Sequence, residues 1–375
     1  MKNIIFICHS NYSNNIVSDA NYGITFEFLD HFFKDQYSTI RHSLYKNGES
    51  RLYKDGIDSA YRRVPMVGKL PDPIRYVVEA FVSGAMLIRY RPKTVLAIDP
   101  LSALPAVVLK KMGFLKRVYF ITPDFSEVRF ENRYLNAAYF FIDKFCTKNS
   151  TKNICCSKFV IEYKMKRYGL DDSYFFHMPN LPNPWIVEEI EKKNIQKNEK
   201  QIIYVGNLSG QIDFEDILTS FNTLKMEHPE LRLVILGKGD AEAHIKETIS
   251  KLGVQDVDLK GQLSFRETLE EVAGSGIGIA TYNGSFNYDV FRDSCKIREY
   301  QSLNTIPLTN KTVVSNAEEI QRFGSGFIME DRGSMYDAFR AIINDSETRK
   351  NMLEGMKRNG DFYKNKYEEY KNLIG

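Results

Sequence analysis

The 375-residue sequence holds no run of 18 or more apolar residues, which excludes a membrane-spanning helix. Its start, MKNIIFICHS, has one lysine and an apolar run too short for a secretory signal, and it predicts a first buried strand. Cys8, Cys146, Cys155, Cys156 and Cys295 form no Cys-x-x-Cys pair and no Cys/His metal spacing. They read as reduced thiols of a cytoplasmic protein. No pair of carboxylates is spaced for acid–base chemistry on one substrate. What remains is an ordinary soluble balance, 43% hydrophobic and 26% charged, in a chain long enough for two domains.

The net charge of +3 conceals an asymmetry. Residues 1–180 hold 26 Lys and Arg against 17 Asp and Glu, a balance of +9, and the remainder holds 25 against 31, a balance of −6. A basic half suits an anionic membrane surface or a phosphate-bearing acceptor, and lysine-rich drift is the plain alternative.

Short apolar runs alternate with helical stretches through both halves, the pattern of α/β domains with parallel sheets. NIIFICHS (3–10), TVLAI (94–98), RVYFITPDF (117–125, ending in a polar turn) and NICCS (153–157) read as strands, and 23–33, the stretch from the turn at Asp99–Pro100 to Gly113, and 158–169 as helices. FFHMPNLPNPW (175–185) places three prolines between 179 and 184, a hinge between domains, and 188–200 reads as exposed connecting chain. The second half restarts the pattern, with strands running into Gly206, Gly237, Gly261 and Tyr282. In open α/β sheets such strand ends line the ligand site.

One segment, FRDSCKIREYQSLNTIP (291–307), poses a question. Lys296 and Glu299 share a face of a predicted helix, yet a lysine near a helix start opposes the macrodipole, and lysine ahead of glutamate is the weaker ion-pair order. A bound anion would explain the placement; a solvated lysine with a surface glutamate is the other reading. Ser294 as N-cap suits both.

The ordered series IIYVGNLSG, LRLVILGKGD, VDLKGQLSFRETL, IGIATYNG and SCKIREYQSLNTIPL resembles the donor domain of retaining GT-B glycosyltransferases, glycosyltransferase family four (group 1). The resemblance covers the second half of the chain. It implies an α/β GT-B fold of two Rossmann-like domains facing a cleft. Residues 1–180 would bind acceptor, 181–355 would bind the nucleotide sugar, and a helix over 356–375 would cross back to the first domain. Glu299 would hold the donor ribose, since a carboxylate accepts from two adjacent hydroxyls. Lys296 and the helix's free N–H groups would meet the diphosphate. Gly206, Asn207, Gly237, Lys238, Gln262, Asp289 and Arg292 complete the expected donor set. Two family features differ here: Phe291 stands where many members have a sugar-contacting glutamate, and the loop after Gly206 has Asn207 and no Arg/Lys pair.

The implied activity is transfer of a sugar, with retention, from a nucleoside diphosphate sugar to a glycan or lipid-linked acceptor in polysaccharide or glycoconjugate assembly. No cofactor, no metal and no nucleic acid are expected, and no Asp-x-Asp sequence stands where it would hold a metal. A non-catalytic nucleotide-binding partner protein and, behind it, a nucleotide-sugar epimerase are the alternatives.

In the first half, the polar, aromatic segment 9–23 is expected as a cleft-facing loop, with Asn11, Tyr12, Tyr22 and Gly23 as acceptor contacts. His9 is either cleft-facing or structural. Asp124 is the first acidic candidate for acceptor contact or base, with Lys296 the catalytic cation, and Glu127 and Arg129 are the next acceptor-side candidates; helix N-capping is the competing role for Asp124. Lys110, Lys111, Lys116 and Arg117 surround Met112, Phe114 and Leu115, a mixture suited either to peripheral contact with the inner face of an anionic membrane or to an ordinary helix end.

Overall fold

Runs of β-branched and aromatic residues closed by polar or glycine turns form the strands of the computed structural model, and stretches with apolar residues three and four apart form its helices. The structure describes residues 3–13, 16–18, 23–43, 50–53, 61–64, 70, 72–284, 289–329 and 335–375. The chain divides into two units, Met1–Pro179 with Lys366–Gly375, and Asn180–Asn365. Both are Rossmann-like α/β units built on a largely or wholly parallel sheet. Among the described residues no helix is long and apolar enough to cross a membrane.

The first unit contains β1 (Ile4–Ser13), β2 (Ile16–Ser18), β3 (Tyr37–Ser43), β4 (Ser50–Tyr53), β5 (Tyr61–Val64), β6 (Thr94–Ile98), β7 (Arg117–Thr122), β8 (Lys152–Cys155) and β9 (Phe175–His177). They run in the order β5-β4-β3-β1-β6-β7-β8-β9, with β4 and β5 antiparallel at one edge. Segment 9–23 is not a simple loop: β1 runs on to Ser13, and β2 folds back antiparallel, pairing Asn11 with Ser18 and Tyr12 with Val17. The chain reverses between β1 and β6, so their ends are a topological switch point.

The expected single helix over 356–375 is two helices, Ser346–Tyr363 in the second unit and Lys366–Ile374 in the first, with a turn at 364–365. The latter is held by Thr94 Oγ1 donating to Ile374 O (3.2 Å), by Arg117 donating to Gly375 O (2.7 Å) and by Tyr370 against Phe28.

The second unit contains β10 (Asn198–Val205), β11 (Arg232–Leu236), β12 (Val257–Gly261), β13 (Ser275–Ala280), β14 (Ile306–Asn310) and β15 (Phe327–Met329). All are parallel, in the order β12-β11-β10-β13-β14-β15. That is the doubly wound dinucleotide-fold order, with its switch point between β10 and β13. Alternate residues of β10 feed opposite cores: Ile202 and Tyr204 join Phe214 and Phe221, whereas Ile203 joins Ile297 and Tyr300. The stretch 188–200 is not merely connecting. Helix Pro184–Glu191 buries Ile186 and Ile190 in the second of these cores, and β10 begins at Asn198.

At the first unit's switch point, His9 is buried, with Nδ1 3.1 Å from Asp99 Oδ2 and Nε2 3.1 Å from Glu79 Oε2. His9 is therefore structural in these contacts. Burial works against its charge, but the bonds and charges of Asp99 and Glu79 outweigh it and raise the pKa from 6.5 to about 9. Its neighbour His42, bonded to Ser50 and Ser83, is pushed well below 6.5 by burial and by the charges of His9 and Arg75, so it stays neutral. A raised folded pKa gives stability that is fully present below 6.5 and is lost as pH climbs through about 9. The predicted outcome is a fall in the wild-type unfolding free energy between those values that His9→Gln does not share. Parallel curves in a denaturant series would contradict the ion-paired assignment.

Candidate functional site

The site of the second unit forms where β10 and β13 end, and one helix supplies its chemistry. Helix Cys295–Ser302 lies on the sheet with Lys296 and Tyr300, one turn apart, facing the strands. Tyr300 is fully buried; its hydroxyl accepts from Val205 N (3.2 Å) and donates to Ile279 O (3.3 Å), bridging the two strands where they part. The ring fits only because residue 278 is glycine, since a Cβ there would lie 2.4 Å from it. One turn earlier, Lys296 reaches over the Tyr204 ring (4.7 Å to the centroid) and the Tyr282 ring (5.4 Å). Gly206 makes room for it: its φ of 147° suits glycine, and a Cβ there would sit 2.9 Å from Lys296 Nζ.

Burial alone would lower the Lys296 pKa, but Tyr282 and Tyr204 beside it reverse the sign and raise it, so the group stays an ammonium. Arg292 lies over the other aromatic position, 4.3 Å from the Tyr282 ring, and donates to Gln211 Oε1 (3.1 Å). Two cations thus converge on one tyrosine at the switch point. Glu299 does not pair with Lys296; its Oε1 accepts from Cys295 Sγ (3.3 Å), and burial raises its pKa. Ser294 occupies the N-cap position without making a side-chain cap. Its hydroxyl lies 3.3 Å from Tyr282 OH, which leaves the first N–H groups of the helix without that internal partner.

The helix is pinned sideways by Arg298. This guanidinium, 4% exposed, donates to both oxygens of Asp293 (2.8 Å each) and to Glu319 Oε2 (2.7 Å). Glu319 also accepts from Asn359 (2.8 Å) and Tyr363 (2.9 Å), and Asp293 from the Asn180 backbone (2.7 Å).

The other expected donor residues take varied places. Gly237 follows β11 and donates to Gly261 O (2.8 Å); Lys238 and Gln262 are exposed in the loops after β11 and β12. Asn207 is exposed, and its carbonyl accepts from Tyr204 OH (2.9 Å). Phe291 is buried, and the side chain of Asp289 lies outside the described residues.

In the first unit, Asp124 follows β7 and is 61% exposed at its side chain, 3.3 Å from Arg129 Nη1. It caps no helix, because the N-cap of helix Arg133–Asn149 is Asn132. Arg129 N bonds to Asn136 Oδ1 (2.8 Å), and the Glu127 carbonyl accepts from Asn136 (3.4 Å). Gly23 opens helix Gly23–Phe33, Asn11 and Tyr12 are described by backbone alone, and Tyr22 lies outside the described residues. Spacing did not single out Tyr204, Tyr300 or Arg298. A tyrosine in the aliphatic run of β10 was the one available hint.

Residues 186–359 match the family model for glycosyl transferases group 1. The matched segment contains Tyr204, Gly206, Tyr282, Arg292, Lys296, Arg298, Glu299 and Tyr300. Solved structures resemble the chain over nearly its full length. Anabaena HepE, in complex with UDP, superposes with a TM-score of 0.66 at 10% identity, covering 100% of this chain and 99% of that one. Sucrose-phosphate synthase from Thermosynechococcus elongatus gives 0.68 at 11% identity, with 98% of each chain covered. The lipopolysaccharide outer core galactosyltransferase WaaB gives 0.64 at 15% identity, covering 100% and 99%. At such identities the likeness establishes the fold, which is that of GT-B glycosyltransferase structures. No curated protein matches by sequence.

Removing the central cation of a buried triad strands two carboxylates. Arg298→Ala is therefore expected to cost about 3–5 kcal/mol of stability. Chemical denaturation checks this, and a loss under about 1 kcal/mol would contradict the pinning role.

Proposed function

We propose that the chain is a glycosyltransferase that moves a sugar from a nucleoside diphosphate sugar to a glycan or lipid-linked acceptor with retention and without a metal. The observation that carries this reading is the pairing of Lys296 and Arg292 over Tyr282 at the β10–β13 switch point. It lies within the segment that matches group 1 glycosyl transferases. Two half-buried cations and the helix start form an electropositive end suited to a diphosphate. Glu299, one turn along, suits the two ribose hydroxyls once Cys295 yields its weak bond. The HepE structure, similar in fold, holds UDP, which supports a nucleoside diphosphate here.

In this mechanism the protein's work is electrostatic. As the bond from sugar to diphosphate breaks, negative charge grows on the leaving oxygen, and Lys296 is already charged and fixed beside it. No proton from Lys296 is needed, because the diphosphate leaves as a stable anion. Asp124 is the proposed acceptor contact or base, and Asn11, Tyr12, Tyr22, Gly23, Glu127 and Arg129 are the proposed acceptor-side residues. Polysaccharide or glycoconjugate assembly at the inner face of a membrane is the proposed setting.

Buried Phe291, in the place of a sugar-binding glutamate, favours a second reading as a nucleotide-binding partner without turnover. Single-turnover transfer separates the two. Lys296→Ala should slow the step by roughly 10²–10³-fold while the product keeps the donor's anomeric configuration by NMR. An unchanged rate would remove Lys296 from the mechanism, and no turnover of any nucleotide sugar by the wild type would favour the partner reading.

A further inference from the structure

Helix Asp72–Tyr90 of the first unit is inside out. Its charged residues Arg75 and Glu79 are buried at 2% and 4% exposure, while Ile74, Val77, Phe81 and Ile88 are exposed at spacings of three, four and seven. A helix on an ordinary solvated surface has the opposite arrangement. Phe81 is 75% exposed.

The apolar face does not end with this helix. Helix Asp72–Tyr90 packs on helix Pro100–Lys111, with Gly84 against Pro105, and that helix packs on Arg133–Asn149. The last two are the crossovers from β6 to β7 and from β7 to β8, so right-handed connection places them on one face of the sheet. Met112, at the end of the middle helix, is 64% exposed, and Phe141 on the third is 74% exposed. Three neighbouring helices each present large apolar side chains to solvent, beyond the scattered singles of a normal surface.

The exposed charges on these helices are of one sign among the described residues. Arg89, Lys111, Lys144 and Lys148 are exposed, whereas Glu79 and Asp143 are buried, so among the described residues the three helices expose no carboxylate. A second copy of the chain on this face would set cation against cation, because a two-fold contact pairs the same surface with itself. An anionic lipid surface supplies both missing partners, acyl chains for the exposed apolar side chains and head-group charge for the lysines and Arg89.

We infer that these three helices form a membrane-docking face for anionic phospholipid. The inference deepens the lipid-linked-acceptor reading above and rests on it only for its purpose, since the surface stands independently of the transfer chemistry. It also moves the contact from the basic stretch 109–120, suggested by sequence, to the whole three-helix face, of which Phe81 is the most exposed apolar residue.

The test uses the full chain and sucrose-loaded vesicles of phosphatidylcholine alone or mixed with phosphatidylglycerol, at low and high salt. The wild type is expected to sediment with the mixed vesicles at low salt and not with phosphatidylcholine alone. Phe81→Asp and Met112→Asp should each reduce partitioning about tenfold or more. These side chains are exposed, so the variants are expected to fold, and circular dichroism together with UDP titration checks this. No partitioning of the wild type, equal partitioning into both vesicle types, or an unaffected Phe81→Asp would overturn the inference. So would a solution dimer that Phe81→Asp dissociates, which would assign the face to a second copy. If UDP fails to bind while vesicle docking persists, the transferase reading fails and the docking face survives.

Discussion

The seat of helix Cys295–Ser302 is the constraint on which the second unit's chemistry depends. Tyr300 sets its depth, joining Val205 and Ile279 through one hydroxyl over a strand that glycine keeps thin at 278. Arg298 sets its lateral position between Asp293 and Glu319. With both fixed, Lys296 has one place to go, over Tyr204 and Tyr282 and against Gly206. A flexible lysine would lose rotamer freedom on meeting an anion; this one has lost it in folding. The cation that looked misplaced near a helix start is thus held by aromatic faces and the electronegative tyrosine oxygens, not by a carboxylate.

The two units use the same topology differently. In the second, the switch point between β10 and β13 gathers cations and an N-terminus whose serine does not cap it. In the first, the switch point between β1 and β6 is filled by His9 with Asp99 and Glu79, a closed set of charges that satisfies itself. Asp99 also caps helix Pro100–Lys111 through Ser102 N (2.9 Å), which further ties that strand end to structure. The same fold position therefore holds a polar cluster that consolidates one unit and an electropositive surface in the other.

The second unit was legible because its strands carry apolar runs closed by glycines, and because those glycines mark where the chain must turn at the sheet edge. Much of the segment from 37 to 90 was not. β4 and β5 are four residues each, and β5 holds two arginines in succession, so neither shows a clear alternation. Helix Asp72–Tyr90 defeats the usual reading of amphipathic period because Arg75, Glu79 and Ser83 face inward. Within the site, Lys296 and Glu299 were legible from their spacing on one helix. Arg298 was not, because its partners lie 5 and 21 positions away and only the fold brings them together. His9 is a sharper case, with partners 70 and 90 positions distant. The expected helix over 356–375 failed on a two-residue turn that no proline or glycine announces.

The central claim is that this helix, seated as described, is a nucleoside diphosphate site read at its ribose by Glu299. The most direct measurement is calorimetric titration of UDP, GDP, ADP and CMP into the wild type and Glu299→Ala. The account predicts that one diphosphate binds the wild type and that the variant loses at least about tenfold in affinity, the worth of a charged hydrogen-bond acceptor. Absence of binding by every nucleotide, or equal affinity of the two proteins, would contradict it.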